Sequence, residues 1–153
     1  MIDVQRHMGF IRPLQERRRR GPILLSLMAL LLVGCGYTPQ GQLPPVEGVE
    51  VDLGETNFEK EVLQSPAPVL VEFGATWCGP CQEMEPVLAH LSLNYKDRLK
   101  VGKIDVDESD QLAAEYDASL IPLMVLFKDG VEVDRVLGQH SLEELSTWVD
   151  GYL

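Results

Sequence analysis

The chain is poor in cysteine, with Cys35, Cys78 and Cys81 the only three in 153 residues. A structural zinc site asks for four ligands, and Cys35 lies far upstream of the other two. His90, inside a helical pattern, reads as a surface or packing residue, so no metal site is expected. A c-type haem needs His directly after the second cysteine of its motif, and Gln82 stands there. Apolar length is also short at the front of the chain. The run Ile23 to Val33 has eleven residues, broken by Ser26, and as a helix would reach ~16 Å against ~30 Å of hydrocarbon. Basic residues are scarce beyond position 34, where seven Lys or Arg face 22 Asp or Glu. A domain that acidic does not bind nucleic acid through its phosphates. Its charge suits solubility and basic or neutral partners. The length allows one domain of ordinary size plus an extension, and no internal repeat is present.

What stands out is Trp77-Cys78-Gly79-Pro80-Cys81, between the apolar run Val69 to Phe73 and the helical pattern Met84, Val87, Leu88, Leu91. Two intervening residues let two sulfurs meet across one helical turn. The first sulfur then sits over a helix N-terminus, where unpaired N–H groups and the positive end of the dipole favour a thiolate. Pro80 suits a first helical turn because the N–H it lacks would have no partner there. Gly79 removes bulk from the approach to Cys78. An inert structural disulfide is the alternative.

These five residues are identical to the active-site motif of the thioredoxin family, and the chain resembles that family from about Val49 to Leu153. The resemblance also rests on Val69 to Phe73, Pro86, Lys103 to Asp107, Ile121-Pro122, Phe127 to Gly130 and Gly138. It implies a thioredoxin fold, a central mixed β-sheet with helices on both faces. It also implies a thiol–disulfide oxidoreductase whose only redox group is the Cys78/Cys81 disulfide, with no bound cofactor. Cys78 would be the attacking thiolate, and Cys81, more buried, the resolving thiol. Glu72 matches a buried Asp of the family. With Lys103 as its partner on the neighbouring strand, it would exchange a proton with Cys81; the alternative is that Glu72 reaches the surface and does nothing. Ile121-Pro122 matches the family's cis-proline loop, which pairs with substrate backbone, and the alternative is a trans proline opening a strand. Gly138 matches the glycine of the adjoining loop, and Trp77 would shield the sulfurs. Trp77, Gly79, Pro80, Ile121, Pro122 and Gly138 are thus the expected substrate surface. The family usually has Thr where Leu123 stands, and a second Trp where Gly74 stands.

The front end reads as an address. A basic block, Arg17 to Arg20, precedes the short apolar run, as in a signal peptide. Leu32-Val33-Gly34-Cys35 resembles the lipobox of bacterial lipoproteins, which implies cleavage before Cys35 and its acylation. The alternatives are an ordinary signal peptide with Cys35 left free, or an uncleaved anchor. Three segments are expected: a signal peptide over 1–34, a lipidated cysteine and flexible tether over 35–48, and the domain over 49–153. Pro39, Gly41, Pro44 and Pro45 mark the tether. The expected protein is a monomer in the bacterial cell envelope, lipid-anchored and facing the extracytoplasmic side. It would reduce protein disulfides with electrons from a membrane thiol donor. A thiol oxidase or isomerase, or a non-catalytic binding module, is the competing function.

Within the domain, alternation predicts an edge strand over Val49–Leu53; Val69–Phe73 reads as a buried central strand, and Leu99–Val106, Leu123–Phe127 and Val131–Leu137 as further strands. Asp129-Gly130 is a hairpin turn signal. Helices are expected after Thr56 or Asn57 as a cap, over Cys81–Tyr95, over Ser109–Tyr116, and after the capping box Ser141 to Glu144. The last should bury Leu142, Leu145, Trp148 and Val149.

Overall fold

A computed structural model describes residues 43–153. The basic block, the apolar run and Cys35 lie outside the described residues. Five strands form one sheet in the order β1-β3-β2-β4-β5. They are β1 (Val51–Leu53), β2 (Val69–Gly74), β3 (Lys100–Asp105), β4 (Leu123–Lys128) and β5 (Val131–Leu137). β1, β3 and β2 run parallel, and β4 and β5 are antiparallel. Every residue of β2 is buried, Glu72 among them, as expected of a mostly apolar central strand covered on both faces.

The four helical segments are α1 (Glu59–Leu63), α2 (Gly79–Tyr95), α3 (Asp110–Glu115) and α4 (Leu142–Asp150). On one face Phe58, Val62 and Leu112 pack with Val69, Val71, Phe73, Val125 and Phe127. On the other, Met84, Leu88 and Leu91 of α2 and Leu145 and Val149 of α4 cover Leu70, Val101, Met124 and Leu126. The period of two along β2 therefore sends Leu70 and Glu72 toward α2, and Val71 and Phe73 away from it. That parity places Glu72 under the redox motif.

Three local expectations are corrected. The first helix is wound as a π-helix, with Gln64 N–H donating to the Glu59 carbonyl at 2.9 Å, and no side chain caps it. Asn57 instead closes the turn before it. Its Oδ1 accepts from Gly54 N–H at 2.8 Å and its Nδ2 donates to the Asp52 carbonyl at 3.0 Å, a competition with helix capping open to any Asn. In α4 only Leu145 and Val149 are buried. Trp148 stays half-exposed because its indole N–H donates to Asp134 Oδ2 at 2.7 Å, a partner on the outer strand that full burial would remove. Leu142, in the first turn of α4, is likewise half-buried.

The hairpin turn has φ of 53° at Asp129 and 75° at Gly130, the paired positive values that a two-residue hairpin connection demands. The capping box at α4 is complete: Ser141 Oγ accepts from Glu144 N–H at 3.2 Å, and Glu144 Oε2 accepts from Ser141 N–H at 2.8 Å. Ser141→Ala is expected to cost about 1 kcal/mol of stability, read as a lower urea midpoint at unchanged slope. A midpoint equal to the parent's would show that the cap contributes nothing.

Candidate active site

β2 ends at Gly74 and α2 begins at Gly79, so the motif lies where a central strand gives way to a helix. Cys78 is the N-cap of α2, with φ −81° and ψ 104°. Its Sγ accepts the Cys81 backbone N–H at 3.2 Å, satisfying one of the donors that a helix start leaves open. Pro80 occupies the first turn, and Gly79 and Pro80 are both exposed. The two cysteines are joined as a disulfide. They pack with Ala75 and against Val106 and Ile121.

The expected ranking of the two cysteine residues by burial is not found. Cys78 and Cys81 are each 5% exposed, because the closed disulfide is covered by its own helix start and by the Ile121 side. What separates them is direction. Cys78 Sγ faces the N–H groups of the helix start, whereas Cys81 Sγ faces back toward β2. A Cβ built on Gly74 would stand 3.5 Å from Cys81 Sγ and 3.4 Å from Glu72 Oε1. Both groups therefore border the space that a side chain at position 74 would fill. That space belongs to a cavity of about 320 Å³, lined among others by Glu72, Gly74, Cys81, Gln82, Lys103 and Asp105.

Glu72 is 4% exposed, and its Oε1 has no hydrogen-bond partner among the described residues. Burial pushes its carboxyl up to about 7 against a smaller downward pull from Lys103, and Glu85 and Glu50 add smaller upward pushes. A carboxyl taken out of water resists ionising because nothing nearby replaces its hydration. Lys103 is its register partner across β2 and β3, yet no ion pair joins the two among the described residues. Lys103 acts at a distance, which is why desolvation wins.

Ile121-Pro122 is a cis peptide bond. The Pro122 carbonyl accepts Gly138 N–H at 2.8 Å, and Gly138 has φ of 90°, so the two loops at this end of the sheet are tied together. Trp77 is 68% exposed and its indole N–H donates to Asp107 Oδ2 at 2.6 Å. The sequence offered Asp107 only as part of the resembling stretch Lys103 to Asp107, with no sign of its contact with Trp77. Leu120, 65% exposed beside the cis-proline, is the other apolar residue at this rim that sequence reading did not single out. Among the described residues no group of three or more His, Cys, Asp or Glu is arranged to hold a metal.

The thioredoxin family profile matches residues 49–151. The chain belongs to the thioredoxin family. It is 40% identical over 99 residues to Thioredoxin 1 of Synechococcus elongatus, a match covering 65% of this chain and 92% of that one. It is 44% identical over 104 residues to the chloroplastic Thioredoxin X of Arabidopsis thaliana, covering 67% and 57%. It is 42% identical over 91 residues to the bifunctional thioredoxin reductase/thioredoxin of Mycobacterium leprae, covering 60% and 20%. The mixed five-stranded sheet with helices on both faces is the thioredoxin fold. With the Cys78–Cys81 disulfide at the strand-to-helix junction, the chain is a thiol–disulfide oxidoreductase.

Proposed function

We propose that this thioredoxin reduces protein disulfides from a lipid anchor on the extracytoplasmic side of a bacterial membrane. The single observation that carries the redox half is the Cys78 sulfur at the α2 N-terminus, accepting a backbone N–H. In the reduced protein that position favours a thiolate. The thiolate attacks one sulfur of a substrate disulfide, and the other sulfur leaves as a thiol after taking a proton. Cys81 then attacks Cys78 in the mixed disulfide, the substrate's second thiol departs, and the protein is left with the disulfide described above. Attack by Cys81 requires loss of its proton. Glu72, across the Gly74 space and poised near neutrality, accepts it directly or through a water, for which the cavity has room. Lys103 modulates the affinity of Glu72 for that proton. Ile121, Pro122 and Gly138 form the surface against which a substrate backbone lies, and Trp77, Gly79 and Pro80 form its opposite edge. No bound cofactor is needed.

The address half rests on the Leu32-Val33-Gly34-Cys35 pattern after a basic block and a short apolar run. More than one acyl chain at Cys35 gives lasting attachment, at about 0.8 kcal/mol per buried CH₂. A reductant outside the cytoplasm needs electrons carried across the membrane, so a membrane thiol donor is the implied partner. Should Cys35 stay unacylated, a reductase of the class named in the Mycobacterium leprae relative takes that place. Feeding cells a labelled fatty acid is expected to label the parent and not Cys35→Ser. A parent without label removes the anchor. A reduction potential above about −150 mV would turn the direction from reductant to oxidant.

A further inference from the structure

Residues 43–49, just before β1, lie against the domain. Val49 N–H donates to Ser92 Oγ at 2.9 Å. Gly48 lies so close to α2 that a Cβ there would stand 2.7 Å from the Ala89 Cα. The Pro44 carbonyl meets His90 Nε2 at 3.0 Å. Leu43, half-buried, lines a groove of about 640 Å³ together with Val87, Pro86, Leu142, Gln82 and Gly79. Followed from Val49 back to Leu43, the segment passes from the C-terminal half of α2 to a groove that ends at the glycine of the redox motif. Its composition suits that path. Pro44 and Pro45 hold an extended backbone and bring no N–H groups that would need partners. Gly48 permits the contact with Ala89 that any side chain would block.

We propose that residues 43–48 are a docked strap, whose groove beside the motif takes Leu43, and that the strap turns the redox end of the domain toward partners at the bilayer surface. This rests on the acylation of Cys35 proposed above. Eight Cα-to-Cα steps separate Cys35 from Leu43, and at full extension they span at most ~28 Å. With the strap released, fourteen steps would separate Cys35 from Val49 and the reach would grow to ~50 Å. The docked strap also fixes where the chain enters the domain, near α2's motif end, so the shorter leash acts on the end that carries Cys78. A short leash raises the effective concentration of Cys78 toward disulfides held in the same membrane and does nothing for disulfides in solution. The partner class is thus a membrane-held protein disulfide or dithiol.

The test uses the full-length acylated chain in phosphatidylethanolamine/phosphatidylglycerol vesicles. One peptide disulfide is supplied in two forms, with and without its own acyl anchor. Gly48→Ala forces the strap off Ala89 without touching the redox site. The ratio of anchored to soluble reduction rates is expected to fall about twofold in Gly48→Ala, with the soluble rate unchanged. His90→Ala, which frees the other end of the strap, is expected to lower the ratio in the same direction. A ratio that neither variant moves overturns the strap while the vesicles still carry the protein. A parent chain that fails to float with the vesicles overturns the anchor, and the strap's role with it.

Discussion

Glu72→Gln is expected to stabilise the protein at pH 8 and to leave it nearly unchanged at pH 4. The native carboxyl titrates near 7 because it is buried, whereas in the unfolded chain it returns to its ordinary value near 4.5. At pH 4 both states hold the proton and the group contributes no difference. As pH rises through 4.5 the unfolded state loses its proton first, so unfolding becomes easier with each further step. Above about 7 the native carboxylate is ionised too, and the full cost stands. At about 1.36 kcal/mol per pH unit the window between the two values corresponds to about 3 kcal/mol. Gln keeps nearly the same shape without the charge, so the variant should lose that slope. Urea unfolding of the oxidised protein at pH 4, 6 and 8 reads it directly. Parallel stability curves for parent and variant would mean that Glu72 ionises freely, and its place in the proton path would go with that result.

The second large effect separates the two sulfurs. Cys78→Ser should lower insulin reduction at least a thousandfold, since a hydroxyl at the helix tip is no nucleophile near neutral pH. Cys81→Ser should retain the first attack and stall after it, leaving stoichiometric mixed disulfides visible on a non-reducing gel. Equal burial of the two cysteines gives no reason for this difference. The reason is the backbone N–H at Cys78 Sγ and the Gly74 space at Cys81 Sγ. Turnover that survives in Cys78→Ser would reverse the roles.

Some of this was readable from the residues because local chemistry decides it. The Asp129-Gly130 turn and the Ser141 box are set by side chains a few positions apart, and the apolar run of β2, interrupted by Glu72, needs only its neighbours on the sheet. The winding of α1 was not readable. Asn57 had two competing partners, and which it takes depends on Gly54 and Asp52 being folded beside it. Trp148 has a helical position that points inward, and the carboxylate keeping it half-exposed comes from another strand. For the site, the motif named the sulfurs, and the resemblance named Glu72 and Pro122. The hollow at Gly74 was legible only as a missing ring, and its use as shared space between Glu72 and Cys81 needed three dimensions. The strap was least legible, because a proline-rich segment without periodicity looks the same whether it floats or docks.

The two tryptophans are each held by one carboxylate, Trp77 by Asp107 and Trp148 by Asp134. One fluorophore sits next to the disulfide and the other near the chain's end, clamped to the last strand. Opening the disulfide alters the surroundings of Trp77, the chain neighbour of Cys78, and unfolding strips both indoles of their acceptors. A single emission spectrum of the unlabelled protein can therefore follow electron transfer and loss of structure as two separable signals.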